Sequence, residues 1–186
     1  MKTLLLAAGA AALSLLAAAP ALAQDAAPDG SPAFAFKPYV GVLGGYHSFD
    51  SRKTNPYNRA GLGNGAVIEG VVGANIDVGP GFVGVEGNAS KDFHELDWEY
   101  GVAGRVGFRA GDSGLIYVKG GYQWVEFEGP RKRDDILYGV GAEVGPKDIG
   151  LGGLPGMGSA GVRLRFDLDT VDFKSFKPMA GLVFHL

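Results

Sequence analysis

The chain has 186 residues, 32 glycines, no cysteine and a formal net charge of −3. That length allows one domain with a short tail. The mild acidity argues against a nucleic-acid partner, and the missing cysteines exclude a disulfide framework.

Residues 1–23, MKTLLLAAGAAALSLLAAAPALA, have the parts of a secretory signal peptide. Lys2 supplies the charged start, Leu and Ala the apolar middle, and Ala21-Leu22-Ala23 the small-residue cleavage site. The rival reading, a membrane-spanning helix, lacks a charged stop sequence after it. Cleavage would remove Lys2 and take the formal charge from −3 to −4. No other apolar run approaches the ~20 residues a membrane helix needs, so the mature chain is expected to pass the inner membrane entirely. Residues 24–37, rich in Ala and Pro, are expected to form a flexible periplasmic segment before a barrel domain spanning 38–186.

From there the sequence alternates with period two. Side chains alternate across a strand, so each such run has two distinct faces. Strand one is predicted from about Pro38 to His47, with Val40, Val42, Gly44 and Tyr46 on one face. A polar loop follows, holding Arg52, Lys53 and Arg59. Strand two, from about Ala66, sets Ile68, Val72 and Ile76 against Glu69, Asn75 and Asp77, and a GPG turn reverses it. Strand three sets Val83 and Val85 against Glu86, Asn88 and Ser90.

Trp98 to Val125 is the clearest hairpin. Trp98, Tyr100, Val102, Val106 and Phe108 alternate with Glu99, Arg105 and Arg109. After GDSG, Ile116, Val118, Tyr122 and Trp124 alternate with Tyr117, Lys119 and Gln123. Gly101, Gly104 and Gly107 would each cost a helix roughly 1 kcal/mol, which argues against one here. A charged loop, 126–135, contains Arg131, Lys132 and Arg133. Strand six sets Ile136, Tyr138 and Val140 against Glu143; an irregular Gly/Pro connection, 145–158, follows. Strand seven sets Val162, Leu164, Phe166 and Leu168 against Arg163, Arg165, Asp167 and Asp169. Strand eight carries Ala180, Leu182, Phe184 and Leu186 on one face.

Eight predicted strands, each with one uncharged face, fit an antiparallel up-and-down β-barrel that spans a membrane, apolar outside and polar inside. A soluble barrel would alternate too, with charges in water. Aromatics toward the ends of the uncharged face (Tyr46, Trp98, Trp124, Tyr138, Phe184), the even strand number and the chain end favour the membrane form.

The strand PYVGVLGGY, the segments FVGVEGNAS, YGVAGRVGFR and LIYVKGGYQW, and the strand VRLRFDLD resemble the opacity-like and OmpA/OmpX-like family of small outer-membrane barrels over about residues 38–186. The resemblance implies an outer-membrane location in a Gram-negative bacterium, a monomer, and contact with outer-membrane lipid and lipopolysaccharide. Leu182, Phe184 and Leu186 are similar to the C-terminal signal read by the outer-membrane assembly machinery, except that such signals usually end in Phe. Nothing resembling a peptidoglycan-binding domain follows strand eight, so no such anchor is expected.

Three sets of residues carry candidate chemistry. The interior charges are Glu69, Glu86, Arg105, Lys119, Glu143, Arg163, Arg165 and Asp167. Of these, Glu86, Arg105, Lys119, Glu143 and Arg163 lie on five consecutive strands and would form a ring if their heights agree. Such a set is either a paired plug or a narrow ion path; an eight-stranded barrel is just wide enough for side chains to fill. The basic residues Arg52, Lys53, Arg59, Arg131, Lys132 and Arg133 suit phosphate groups of lipopolysaccharide or a host or cell-surface ligand, although acidic neighbours suit plain solvated loops. A lipid-modifying hydrolase would need serine, histidine and an acid together. His94, near Ser90, Asp92 and Glu95, is the least implausible grouping, so no enzyme is expected. Nor is any cofactor or metal, for no ligand spacing is present.

Overall fold

The computed structural model describes residues 36–49, 65–92, 96–111, 114–127, 132–145, 161–173 and 175–186. Eight strands follow one another: β1 (Phe36–Phe49), β2 (Gly65–Val78), β3 (Gly81–Asp92), β4 (Leu96–Ala110), β5 (Gly114–Phe127), β6 (Lys132–Val144), β7 (Gly161–Val171) and β8 (Ser175–His185). Each pairs with the next, and β8 pairs antiparallel with β1, so the sheet closes and leaves no free edge.

The predicted strands are all present and most run longer than expected. β1 begins at Phe36, two residues inside the predicted N-terminal segment. β6 begins at Lys132, where Lys132 pairs with Glu126 and Arg133 with Val125. Those two basic residues therefore belong to a strand, not to the predicted loop. The signal peptide, residues 24–35 and the 146–160 connection lie outside the described residues.

The barrel has two unlike ends. At one, Gly79 (φ 58°) and Gly111 (φ 70°) make tight turns in the left-handed region that glycine enters without steric cost. Both ends of the barrel, Phe36 and Leu186, lie at this turn end. Opposite lies the loop end, with the connections after β1, β3, β5 and β7.

Burial runs inside out. Val42, Val85, Val102, Val106, Ile116, Val118, Val140 and Phe166 are exposed, whereas Glu69, Glu86, Glu99, Arg105, Lys119, Glu143, Arg165, Asp167, Asp169 and Lys177 are buried. Outward aromatics lie toward both ends: Phe108 and Phe184 toward the turn end, and near the loop end Tyr100 stacks on Trp124 at 5.7 Å and Tyr138 on Phe173 at 4.8 Å. The strands continue past this girdle, and there the outward face does carry charge. Lys91 lies 5.5 Å over the Trp98 ring, and the Tyr122 hydroxyl donates to Asp134. Inside, two apolar clusters flank the charges. One is Tyr39, Leu43, Val71, Met179 and Val183; the other is Phe82, Leu115 and Tyr117.

Candidate functional site

The charged interior forms two layers. The central one is built around two arginines and two tyrosines. Glycines opposite the tyrosines make room for them: a Cβ on Gly73 would lie 2.4 Å from the Tyr39 hydroxyl, and one on Gly141 equally close to that of Tyr117. The Arg105 guanidinium lies 3.8 Å from the Tyr117 ring centroid and 4.9 Å from that of Tyr39, within cation–π range. It donates to Glu143 at 2.8 Å, to Glu86 at 3.2 Å and to the Tyr39 hydroxyl, which itself donates to Glu86 at 2.7 Å.

Arg165 reaches across the lumen to the opposite wall. Its two terminal nitrogens take both oxygens of Glu86, at 2.5 and 2.8 Å, and its Nε donates to Asp167 at 2.9 Å. This bidentate geometry is the strongest form of the ion pair. Lys119 lies 2.9 Å from both Asp167 and Asp169, and the Tyr117 hydroxyl also donates to Asp167. Toward the turn end, His185 lies 2.7 Å and Arg163 3.7 Å from Glu143. At that rim Asp77 pairs with Lys37 at 2.8 Å and with Arg109.

The second layer lies nearer the loop end. Lys177 lies 2.8 Å from Glu69, 3.0 Å from Glu99 and 3.2 Å from the Ser90 hydroxyl. Ser90 donates to Glu99 at 3.1 Å, and His47 Nδ1 sits 3.5 Å from the same carboxylate. Asn88 donates at 3.3 Å to both Glu69 and Gln123.

All eight predicted interior charges point inward, but they do not form one ring. Glu86, Arg105, Lys119, Glu143, Arg165 and Asp167 meet in the central layer, and Glu69 belongs to the second. Arg163, the predicted fifth member, sits at the margin; Arg165 takes its place by spanning the lumen. Tyr39, Tyr117, Lys177 and Asp169 complete the layers and were absent from the predicted network. The tyrosines carry no charge to mark them, yet both occupy inward positions of the alternation.

Arg52, Lys53, Arg59, Arg131 and His94 lie outside the described residues. Among the described residues the buried Ser90 hydroxyl donates to Glu99 and accepts from Lys177. Among the described residues no group of three His, Asp or Glu side chains is placed to hold a metal ion. Leu182 and Phe184 pair with Val42 and Val40 at the β1–β8 seam, and the Leu186 amide donates to the Pro38 carbonyl at 2.9 Å.

Charges buried in pairs and valines exposed in rows suit hydrocarbon outside, not water. The chain is an eight-stranded antiparallel transmembrane β-barrel. That is the fold implied by the resemblance to small outer-membrane barrels.

No family model and no curated protein sequence matches the chain. Solved structures of similar fold include a de novo designed transmembrane β-barrel, with 16% identity, 81% of this chain and 95% of that one covered, and a TM-score of 0.48. Neisserial surface protein A (NspA) is similar at 14% identity, with 80% and 96% covered and a TM-score of 0.47. Ail, the attachment invasion locus protein of Yersinia pestis, is similar at 14% identity, with 81% and 97% covered and a TM-score of 0.49.

Proposed function

We propose that this barrel resides in the outer membrane of a Gram-negative bacterium as a structural and surface-contact protein, with a closed interior and external loops after β1, β3, β5 and β7. The observation that carries this reading is the central layer. Arg105, Arg165, Tyr39 and Tyr117 fill the lumen with paired groups, and each is almost wholly buried. A porin-like channel would need an open route at this height. A hydrolase would need an accessible hydroxyl beside an imidazole. With the lumen filled, this reading assigns surface contact to the loops. Arg52, Lys53 and Arg59 in the first of them would meet phosphate or sulfate groups on lipopolysaccharide or on another surface. The apolar C-terminal set Leu182, Phe184 and Leu186 serves delivery by the outer-membrane assembly machinery.

Trypsin added to intact cells tests the orientation. Cleavage should fall at Arg52, Lys53 and Arg59 and leave the strands protected. Cleavage there only after the envelope is opened would invert the barrel. Adhesion of the same cells to a heparin-coated surface, a polyanion probe, should drop when residues 50–64 are replaced by a Gly/Ser linker. Unchanged adhesion would remove the basic loop from the surface-contact role.

A further inference from the structure

Among the described residues, the two interior layers differ in charge balance. In the central layer four carboxylates, Glu86, Glu143, Asp167 and Asp169, meet four cations, Arg105, Arg165, Lys119 and Arg163, before any histidine is counted. The second layer sets two carboxylates, Glu69 and Glu99, against one lysine, Lys177. A buried charge left without its counter-charge is costly, so this layer is short of one positive charge.

His47 stands where that charge would act. It lies third from the end of β1 and is 1% exposed. Glu99 divides its oxygens between partners. Its Oε2 accepts from the Ser90 hydroxyl at 3.1 Å and from Lys177 at 3.0 Å, and its Oε1 faces His47 Nδ1 at 3.5 Å, within ion-pair range. The other strands add mostly negative charge at this end. Glu69 comes from β2 and Lys177 from β8. Asp169 on β7 lies opposite Lys177, and Asp135 on β6 lies opposite the neutral Gln123 on β5. Among these groups Lys177 alone opposes a second cation, and the carboxylates outnumber it.

We infer that His47 carries a proton at neutral pH, and that its contact with Glu99 is a pH-sensitive clasp across the loop end of the lumen. β1 and β4 are not neighbours in the sheet, so the pair spans the barrel interior rather than one seam. His47 stands just before β1 gives way to the first loop, and Glu99 just after β4 begins. A charged imidazole holds these two strand ends together. A neutral one leaves the layer with a net negative charge, and the clasp loosens. The sign follows from linkage. An unfolded histidine gives up its proton at about pH 6.5, whereas the folded ring keeps it beyond that point. Folding therefore takes up a proton; the stabilisation is full below about pH 6.5 and is lost as the pH rises through the point where the folded ring lets the proton go. The clasp needs no particular orientation in the membrane; in the orientation proposed above, acidity outside the cell would set it.

The test uses the full mature chain refolded in detergent, with its histidine rings labelled with nitrogen-15 and read by nuclear magnetic resonance. His47→Gln assigns the signal. In wild type the His47 ring should be charged at pH 7, with both nitrogens protonated. Glu99→Gln balances Glu69 against Lys177 without a proton, so in that variant the His47 ring should be neutral at pH 7. The urea midpoint gives a second readout. From pH 6.5 to 8.5 the folded-to-unfolded ratio of wild type should fall, by at most about tenfold per pH unit, the limit for one proton. His47→Gln should flatten that fall. A neutral His47 ring in wild type at pH 7, a ring still charged in Glu99→Gln, or equal pH profiles for wild type and His47→Gln would overturn the clasp. If His47→Gln does not refold, the state of the ring in wild type and in Glu99→Gln decides.

Discussion

The two interior layers solve one problem with different chemistry. Both put charges where water is scarce, at a cost of several kcal/mol per ion unless each is paired. In the central layer the cations are mainly arginines. Their planar forks take two carboxylate oxygens at once and lie against tyrosine rings, so Glu86 and Asp167 are held from several sides. The second layer relies on one lysine, a point charge shared among Glu69, Glu99 and Ser90. Each layer keeps unpartnered polar atoms among the described residues, Glu69 Oε1 and Gln123 Nε2 in the second and Arg105 Nε and Asp169 Oδ1 beside the first. The layers differ in their cations: two arginines and a lysine share the central carboxylates, whereas one lysine serves Glu69 and Glu99.

Four substitutions sharpen this contrast, each read as the urea midpoint of the heat-modifiable gel band. Arg165→Met leaves Glu86 without its bidentate partner and Asp167 short of a cation; a loss of about 3–5 kcal/mol is expected, the cost of breaking a buried pair. Lys177→Met takes the shared cation from Glu69 and Glu99 together and should cost a similar amount, about 3–5 kcal/mol, because Ser90 and Asn88 supply hydrogen bonds but no counter-charge. A loss below about 1 kcal/mol would show that the second layer does not hold its anions through that lysine. Gly141→Ala pushes a methyl into the Tyr117 ring and should cost about 1–3 kcal/mol by overpacking. Gly44→Ala, on the outward face with nothing within 4 Å of the added carbon, should fall within about 0.5 kcal/mol of wild type. If the two glycine variants behaved alike, the assignment of inner and outer faces would be wrong.

The alternation made the barrel legible because hydrocarbon and lumen impose opposite demands on successive residues. It also marked the inward charges, since Glu86, Arg105 and Arg165 stand between apolar neighbours. It failed where those demands stop. Above the aromatic girdle both faces of a strand meet water, so Lys132 and Arg133 read as loop although they continue β6. Lys177 was hidden for a related reason: it precedes Pro178, close to a turn, in a stretch too polar to show a lipid face. Tyr39 and Tyr117 were visible as inward residues but not as partners of arginine. That role depends on the stagger between β1, β4 and β5, which only the closed register supplies.

Paired side chains across the middle of the barrel should close it to ions. Single-channel recording of the refolded mature chain in a planar bilayer reads that closure, with folding checked by the heat-dependent gel shift. A shifted band and no steady conductance are expected for wild type, with conductance appearing in Arg165→Met if that variant still folds. Steady conductance in the wild-type barrel would contradict the closed layer and make Glu86, Arg105 and Arg165 the walls of an ion path.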